Sequence, residues 1–200
     1  MSRSFAVTWD YRCPFARNAH EHIVAGLRGG ADWNVEFLPF SLSQMHVEEG
    51  DPPVWFDQGK SSTLLAPEVA LVVRDEHPEK FLDVHEALFR ARHDDALDIR
   101  ERNVIADVLR ANGIDDVDHV FEVVDGGGPL EEYRKTHEDL EAGLKVFGVP
   151  TFIIDDRAVF VRLMDRPHGD TDHATRQIDR VLDLLDWREL NEFKHTRIPR

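Results

Sequence analysis

The chain of 200 residues carries a single cysteine, Cys13, in the stretch Asp10-Tyr11-Arg12-Cys13-Pro14-Phe15-Ala16. An apolar run precedes this stretch and an amphipathic helical pattern follows it, which puts the thiol at a helix start. Unpaired backbone N–H groups and the positive end of the helix dipole favour thiolate over thiol there, so a lowered thiol pKa is the expectation. Arg12 and Arg17 flank the cysteine and are candidates for adding positive charge. A two-thiol redox motif needs a second cysteine where Ala16 stands, so no internal disulfide can close. The competing reading is an inert buried cysteine packed as a small hydrophobe. The strand, Cys-Pro and helix context favours the reactive one.

Other residues with chemical potential give weaker patterns. His20 and His22 are two positions apart and diverge around a helix. His20 lies seven residues beyond Cys13, roughly 10 Å along the axis, too far for a direct base, and a surface position is expected for it. His137 falls on an apolar stripe and reads as a core or boundary histidine. The run His168-Gly169-Asp170-Thr171-Asp172-His173 has a metal-like composition but no regular ligand spacing. A helix cap at Asp170 or Thr171 is expected there, and no metal. Gly126-Gly127-Gly128-Pro129 lacks the Gly-Lys-Ser/Thr ending of a phosphate loop and reads as a helix breaker. Trp9, Trp55 and Phe56 are core aromatics or the lining of an apolar cleft. Arg188, Lys194, His195, Arg197 and Arg200 read as a basic tail that is solvated or pairs with the protein's own acidic face.

The elements that must position Cys13 follow from periodicity. Phe5, Val7 and Trp9 alternate with Ala6 and Thr8 as a first strand. Pro14 at the first helical position opens a helix, because its missing N–H has no intrahelical partner to lose. Phe15, Ala19, Ile23 and Leu27 form the stripe expected to be buried, and Gly29-Gly30 ends the helix. Trp33, Val35 and Phe37 make a second strand and close a β-α-β unit. Residues 41–62 carry Gly50, Asp51-Pro52-Pro53 and Gly59 and read as an extended connection. Helical patterns run from there to residue 146; the third includes Ile99, Val104, Ile105, Val108 and Leu109. Thr151 to Ile154 and Ala158 to Leu163 read as a hairpin, and Asp170 to Trp187 as a final helix.

Composition bounds the rest. With 42% hydrophobic residues a sizeable core is available. A formal net charge of -15 argues against a nucleic-acid surface and against anionic lipid. No apolar stretch approaches the roughly 20 residues that span a bilayer. One cysteine and the absence of a signal-peptide pattern lead to the expectation of a cytoplasmic protein.

The segment from Asp10 to Ala16, together with Phe147-Gly148-Val149-Pro150-Thr151-Phe152, resembles the DsbA-like branch of the thioredoxin superfamily. The closing stretch Leu190 to Arg197 looks like the tail of an actinobacterial subgroup that includes mycothiol-dependent reductases. The resemblance implies an α/β thioredoxin-like fold, β-α-β then β-β-α, with a large all-helical insertion. Residues 1–40 and 147–200 would form the thioredoxin-like domain and 41–146 the insertion.

It further implies that Cys13 is the nucleophile. Val149 and Pro150 would form a cis-proline loop whose Val149 backbone pairs with a thiol-bearing ligand. Arg12, Pro14, Phe15 and Arg17 would line the substrate or thiol-cofactor site. Since Ala16 replaces the resolving cysteine, release of a mixed disulfide needs an external thiol, mycothiol or glutathione. Kappa-class glutathione transferases and 2-hydroxychromene-2-carboxylate isomerases share this architecture, so thiol-dependent transfer or isomerisation of a small organic substrate is the second reading. A binding module with a decayed site is the third, and a homodimer is compatible with all of them.

Overall fold

The computed structural model describes residues 2–57 and 59–197; Arg200 of the basic tail lies outside them. Four strands, β1 (Arg3–Trp9), β2 (Trp33–Pro39), β3 (Thr151–Ile154) and β4 (Arg157–Phe160), form one mixed sheet in the order β2-β1-β3-β4. β1 and β2 run parallel, with Phe5 opposite Val35 and Val7 opposite Phe37. A parallel pair needs a crossover, and α1 (Pro14–Arg28) supplies it. β3 returns antiparallel to β1, placing Phe152 opposite Val7, and a two-residue turn at Asp155-Asp156 leads into β4. Pairing stops at Phe160, short of the expected Leu163.

Between β2 and β3 lie α2 (Leu42–Met45), α3 (Leu65–Glu76), α4 (Pro78–His93), α5 (Arg102–Ala111), α6 (Val117–Asp125) and α7 (Gly128–Leu144). The segment expected to be an extended connection is therefore partly ordered into α2 and two 3-10 turns, Val54–Phe56 and Ser61–Leu64. Side chains organise it: Ser41 Oγ caps α2 by accepting from Gln44 N–H at 3.1 Å. Gln44 Oε1 in turn accepts from Val54 N–H at 2.9 Å. Ile99 is buried but precedes α5, so only the later residues of its expected segment are helical. Gly127, at φ 80, makes the left-handed break between α6 and α7 that the glycine run called for.

The final helix, α8 (Thr171–Asp186), starts where Asp170 accepts from His173 N–H at 2.8 Å. Its Ala174, Ile178, Val181, Leu182 and Leu185 are buried as the periodicity requires, largely against α1. Burying each such Val, Ile or Leu contributes roughly 1.5–3 kcal/mol. Helix α1 departs from the simple stripe. Ala19 and Ile23 are fully buried and Phe15 and Leu27 only partly, while Asn18, His20, Glu21 and His22 are buried as well. The reason is packing on several sides, since α1 meets β1, α4 and α8 at once. One continuous core joins Val7, Trp9, Ile23 and Phe152 around the sheet to Val69, Leu88, Ile105 and Val120 in the helices between β2 and β3. No described helix is long and apolar enough to cross a membrane.

Candidate active site

Cys13 is the N-cap of α1, held there by its backbone N–H donating to Asp10 C=O at 3.0 Å. The Ala16 N–H donates to Cys13 Sγ at 3.4 Å, and the thiol itself donates to the Val149 carbonyl at 3.4 Å. The Val149–Pro150 peptide bond is cis, and both residues are buried. Thr8 on β1 fixes this loop: its Oγ1 accepts from Thr151 N–H at 2.8 Å and donates to Gly148 C=O at 3.4 Å. Thr151 Oγ1 also donates to Gly148 C=O, at 2.7 Å. The Val149 carbonyl expected to await a ligand is thus engaged by the thiol in this state.

The electrostatics overturn the expectation of a lowered thiol pKa. Cys13 is only 7% exposed, and burial pushes its pKa above the ordinary thiol value. The N–H groups of Ala16 and Phe15 pull it down, Asp10 adds to the upward push, and Arg162 opposes it. A helix start stabilises a thiolate only while water or another charge shares the load, and here desolvation is the larger effect.

Neither flanking arginine supplies that charge. Arg12 folds back on buried Asp10, with Nη2 at 3.1 Å from Oδ2. Asp10 also accepts from Arg12 N–H at 2.9 Å and Leu42 N–H at 2.8 Å, so it ties the turn before Cys13 to α2. Arg17 turns away to Asp94 at 2.8 Å, within a network in which Arg166 bridges Asp94 and Glu21. The cation that acts on the thiol is Arg162, just beyond β4. Its guanidinium carbon lies 5.4 Å from the Phe15 ring centre and 5.6 Å from that of Phe160. Alternation along Phe160 and Arg162 was the available signal, but nothing local said which face of the hairpin meets α1.

Pro14 is exposed at the first turn and Phe15 half-buried beside Cys13. Ala16 is fully buried, with its N–H on the sulfur. Of the aromatics, Trp9 and Trp55 are core, whereas Phe56 is exposed. Phe147 is exposed next to the cis-proline loop and packs on Phe160 at 5.3 Å between ring centres.

His20 is a correction: it is buried, not at the surface, and belongs to a hydrogen-bonded chain. Tyr11 Oη lies 2.8 Å from His85 Nδ1, His85 Nε2 lies 2.8 Å from His20 Nδ1, and His20 Nε2 lies 3.2 Å from the Thr8 carbonyl. A carbonyl only accepts, so the proton order is determined: Tyr11 donates to His85, His85 to His20, and His20 to Thr8. Burial lowers the pKa of His20 to about 4 and that of His85 well below the ordinary value, so both imidazoles are neutral. The chain braces both ends of the site, since Tyr11 precedes Cys13 by two residues and Thr8 holds the cis-proline loop. His137 is core, accepting from Ser41 N–H at 3.1 Å.

A family model, described as DSBA-like thioredoxin domain, matches residues 7–166. No functionally curated protein matches the sequence. Among solved structures, the chain is similar to the cytosolic disulfide reductase DsbM from Pseudomonas aeruginosa with GSH, at 13% identity and TM-score 0.62, covering 90% of this chain and 99% of that one. It is also similar to MdbA, a thiol-disulfide oxidoreductase from Actinomyces oris, at 17% identity and TM-score 0.62, covering 88% and 80%. Pseudomonas aeruginosa DsbA gives 18% identity and TM-score 0.56, covering 91% and 86%.

Proposed function

The chain belongs to the DSBA-like thioredoxin domain family, a family of thiol-dependent oxidoreductases, and from that premise we propose that it is a monothiol reductase. Cys13 is its nucleophile and a low-molecular-weight thiol, mycothiol or glutathione, is its resolving partner. The observation that carries this reading is Cys13 at the start of α1, against the cis Val149–Pro150 bond, with Ala16 where a second thiol would stand. The Cys13 thiolate attacks a disulfide, forming a mixed disulfide and expelling one thiolate. A free small thiol, as thiolate, then attacks the small-thiol sulfur of that adduct, releasing a small disulfide and regenerating Cys13. For a disulfide that joins a substrate thiol to the small thiol, each turnover consumes one free small thiol and releases one substrate thiol, the other half of the small disulfide coming from the substrate.

The resting thiol is protonated on the Val149 carbonyl, so ligand entry must displace that bond. The thiolate then has the Ala16 and Phe15 N–H groups and Arg162 to hold it, and the Val149 carbonyl becomes free to pair with the extended thiol ligand. Arg12, Pro14, Phe15 and Arg17 remain proposed contacts for the ligand's outer part. A reducing compartment fits this cycle, since the thiol pool must stay reduced.

The test is the intact mass of the full chain after exposure to glutathione disulfide and to mycothiol disulfide. One adduct on Cys13, released by excess free thiol and absent in Cys13→Ser, supports the reading. No adduct with either disulfide, at neutral or alkaline pH, overturns it. The missing second cysteine equally fits a thiol-dependent transferase or isomerase. That alternative replaces the first if reduced thiol binds saturably and turns over with no disulfide formed.

A further inference from the structure

We propose that His22, Asp165 and His173 form a binding site for one borderline divalent transition-metal cation of the Zn²⁺ type, clamping the start of α8 to α1. The three ligating atoms lie within 4.8 Å of one another, although the residues come from α1, the β4–α8 connection and the first turn of α8. That separation in sequence is why the run from His168 to His173 shows no ligand spacing by itself.

The decisive group is His22. Its side chain is fully buried, and its Nδ1 sits 2.8 Å from the Asn18 carbonyl. Because a carbonyl only accepts, Nδ1 carries the proton and Nε2 presents a lone pair. No described group donates to that nitrogen. It faces Asp165 Oδ2 at 3.8 Å, another acceptor. The two acceptors facing each other repel, and a cation between them turns the repulsion into coordination. The Asn18 carbonyl on the far nitrogen is the kind of outer partner that orients ligating histidines.

His173 completes the set. Its Nε2 lies 2.8 Å from Asp165 Oδ2, and its ring centre is 5.6 Å from that of His22. Metal bonds of about 2.0–2.2 Å on a tetrahedron put ligand atoms about 3.4 Å apart, between the separations present here. Coordination moves the His173 proton from Nε2 to Nδ1, where the Gln177 side-chain amide lies 3.4 Å away and can turn its oxygen to accept. No electron is transferred, and Asp165 offsets one of the two positive charges. Two imidazoles and one carboxylate suit Zn²⁺ and its neighbours better than oxygen-seeking Mg²⁺ or Ca²⁺. Asp165 is half exposed, leaving the fourth position to water. Cys13 is nine residues away on α1, about 13 Å along the axis, so the site is independent of the thiol chemistry.

The test titrates Zn²⁺ into the metal-free full chain carrying Cys13→Ser, by calorimetry and thermal denaturation. Expected are one Zn²⁺ per chain and a raised Tm, with affinity falling about tenfold or more in Asp165→Asn and in His173→Gln. Asp165 is exposed and His173 half-buried, and circular dichroism checks that each variant is folded. Co²⁺ should give d–d bands without thiolate charge transfer in the chain that retains Cys13. Absence of stoichiometric binding, or binding unchanged in both variants, overturns the proposal.

Discussion

The Cys13 thiol donates to the Val149 carbonyl at 3.4 Å while the Ala16 N–H donates to the same sulfur at 3.4 Å, so one atom joins the α1 start to the cis-proline loop. Only the protonated thiol makes this bond, so the reactivity of the resting sulfur depends on what enters the loop.

Alkylation of the free protein therefore proceeds slowly at neutral pH. Its rate should rise with pH through an inflection above the ordinary cysteine value of about 8.5. Burial is the main cause of the upward shift. Iodoacetamide rates followed by mass spectrometry measure it; an inflection below neutrality contradicts the buried-thiol account.

Among the described residues, Arg162 is the cation whose charge favours the thiolate. Arg162→Gln should move the inflection higher and slow alkylation at neutral pH by a few-fold, up to about tenfold for one pKa unit. Arg17→Gln should leave the inflection in place, because Arg17 is spent on Asp94 and Asn18. Equal effects of the two substitutions would remove Arg162 from its assigned role.

Ala16→Cys should restore a dithiol. Residues three apart at a helix start lie within the 4.4–6.8 Å Cα range of a disulfide. Oxidation of this variant should eliminate both free thiols, and a mixed disulfide at Cys13 should clear without added small thiol. Persistent adducts in the variant would show that position 16 does not reach the sulfur.

Tyr11→Phe removes the donor at the head of the buried chain and leaves His85 Nδ1 unpaired, at a cost of about 1–3 kcal/mol by urea denaturation. A stability equal to that of the unmodified protein would mean the chain contributes nothing.

Three buried histidines, His20 and His85 of that chain and His137 in the core, set an acid limit. His20 and His137 have folded pKa values lowered from 6.5 to about 4, and burial also holds His85 well below its ordinary value, so the unfolded chain binds more protons below 6.5. Their contribution is intact above pH 6.5. It declines as pH falls towards 4, by up to about 1.4 kcal/mol per pH unit for each histidine. Denaturation midpoints across that range check the sign.

Much of the site's local frame was legible in the chain itself. Pro14 after Cys13, Gly29 after Arg28 and the alternation of Phe5, Val7 and Trp9 act within a turn or a strand, where neighbours decide conformation. The helix periods from Val69 to Leu140 and the cap at Asp170 were readable for the same reason. What failed was the environment. His20 looked solvent-facing because the cover over α1 comes from α4, where its partner His85 is 65 residues away.

The sequence by itself determined a thioredoxin-like order of elements, a lone cysteine at a helix start and the lack of a second thiol at Ala16. Tertiary structure alone decided that desolvation outweighs the helix start, that Arg162 replaces Arg12 and Arg17 as the nearby charge, and that His22 meets Asp165 and His173. Local geometry depends on adjacent residues, but burial and charge at a point sum over every element packed there. For Cys13 and His22 those elements arrive from the far end of the chain.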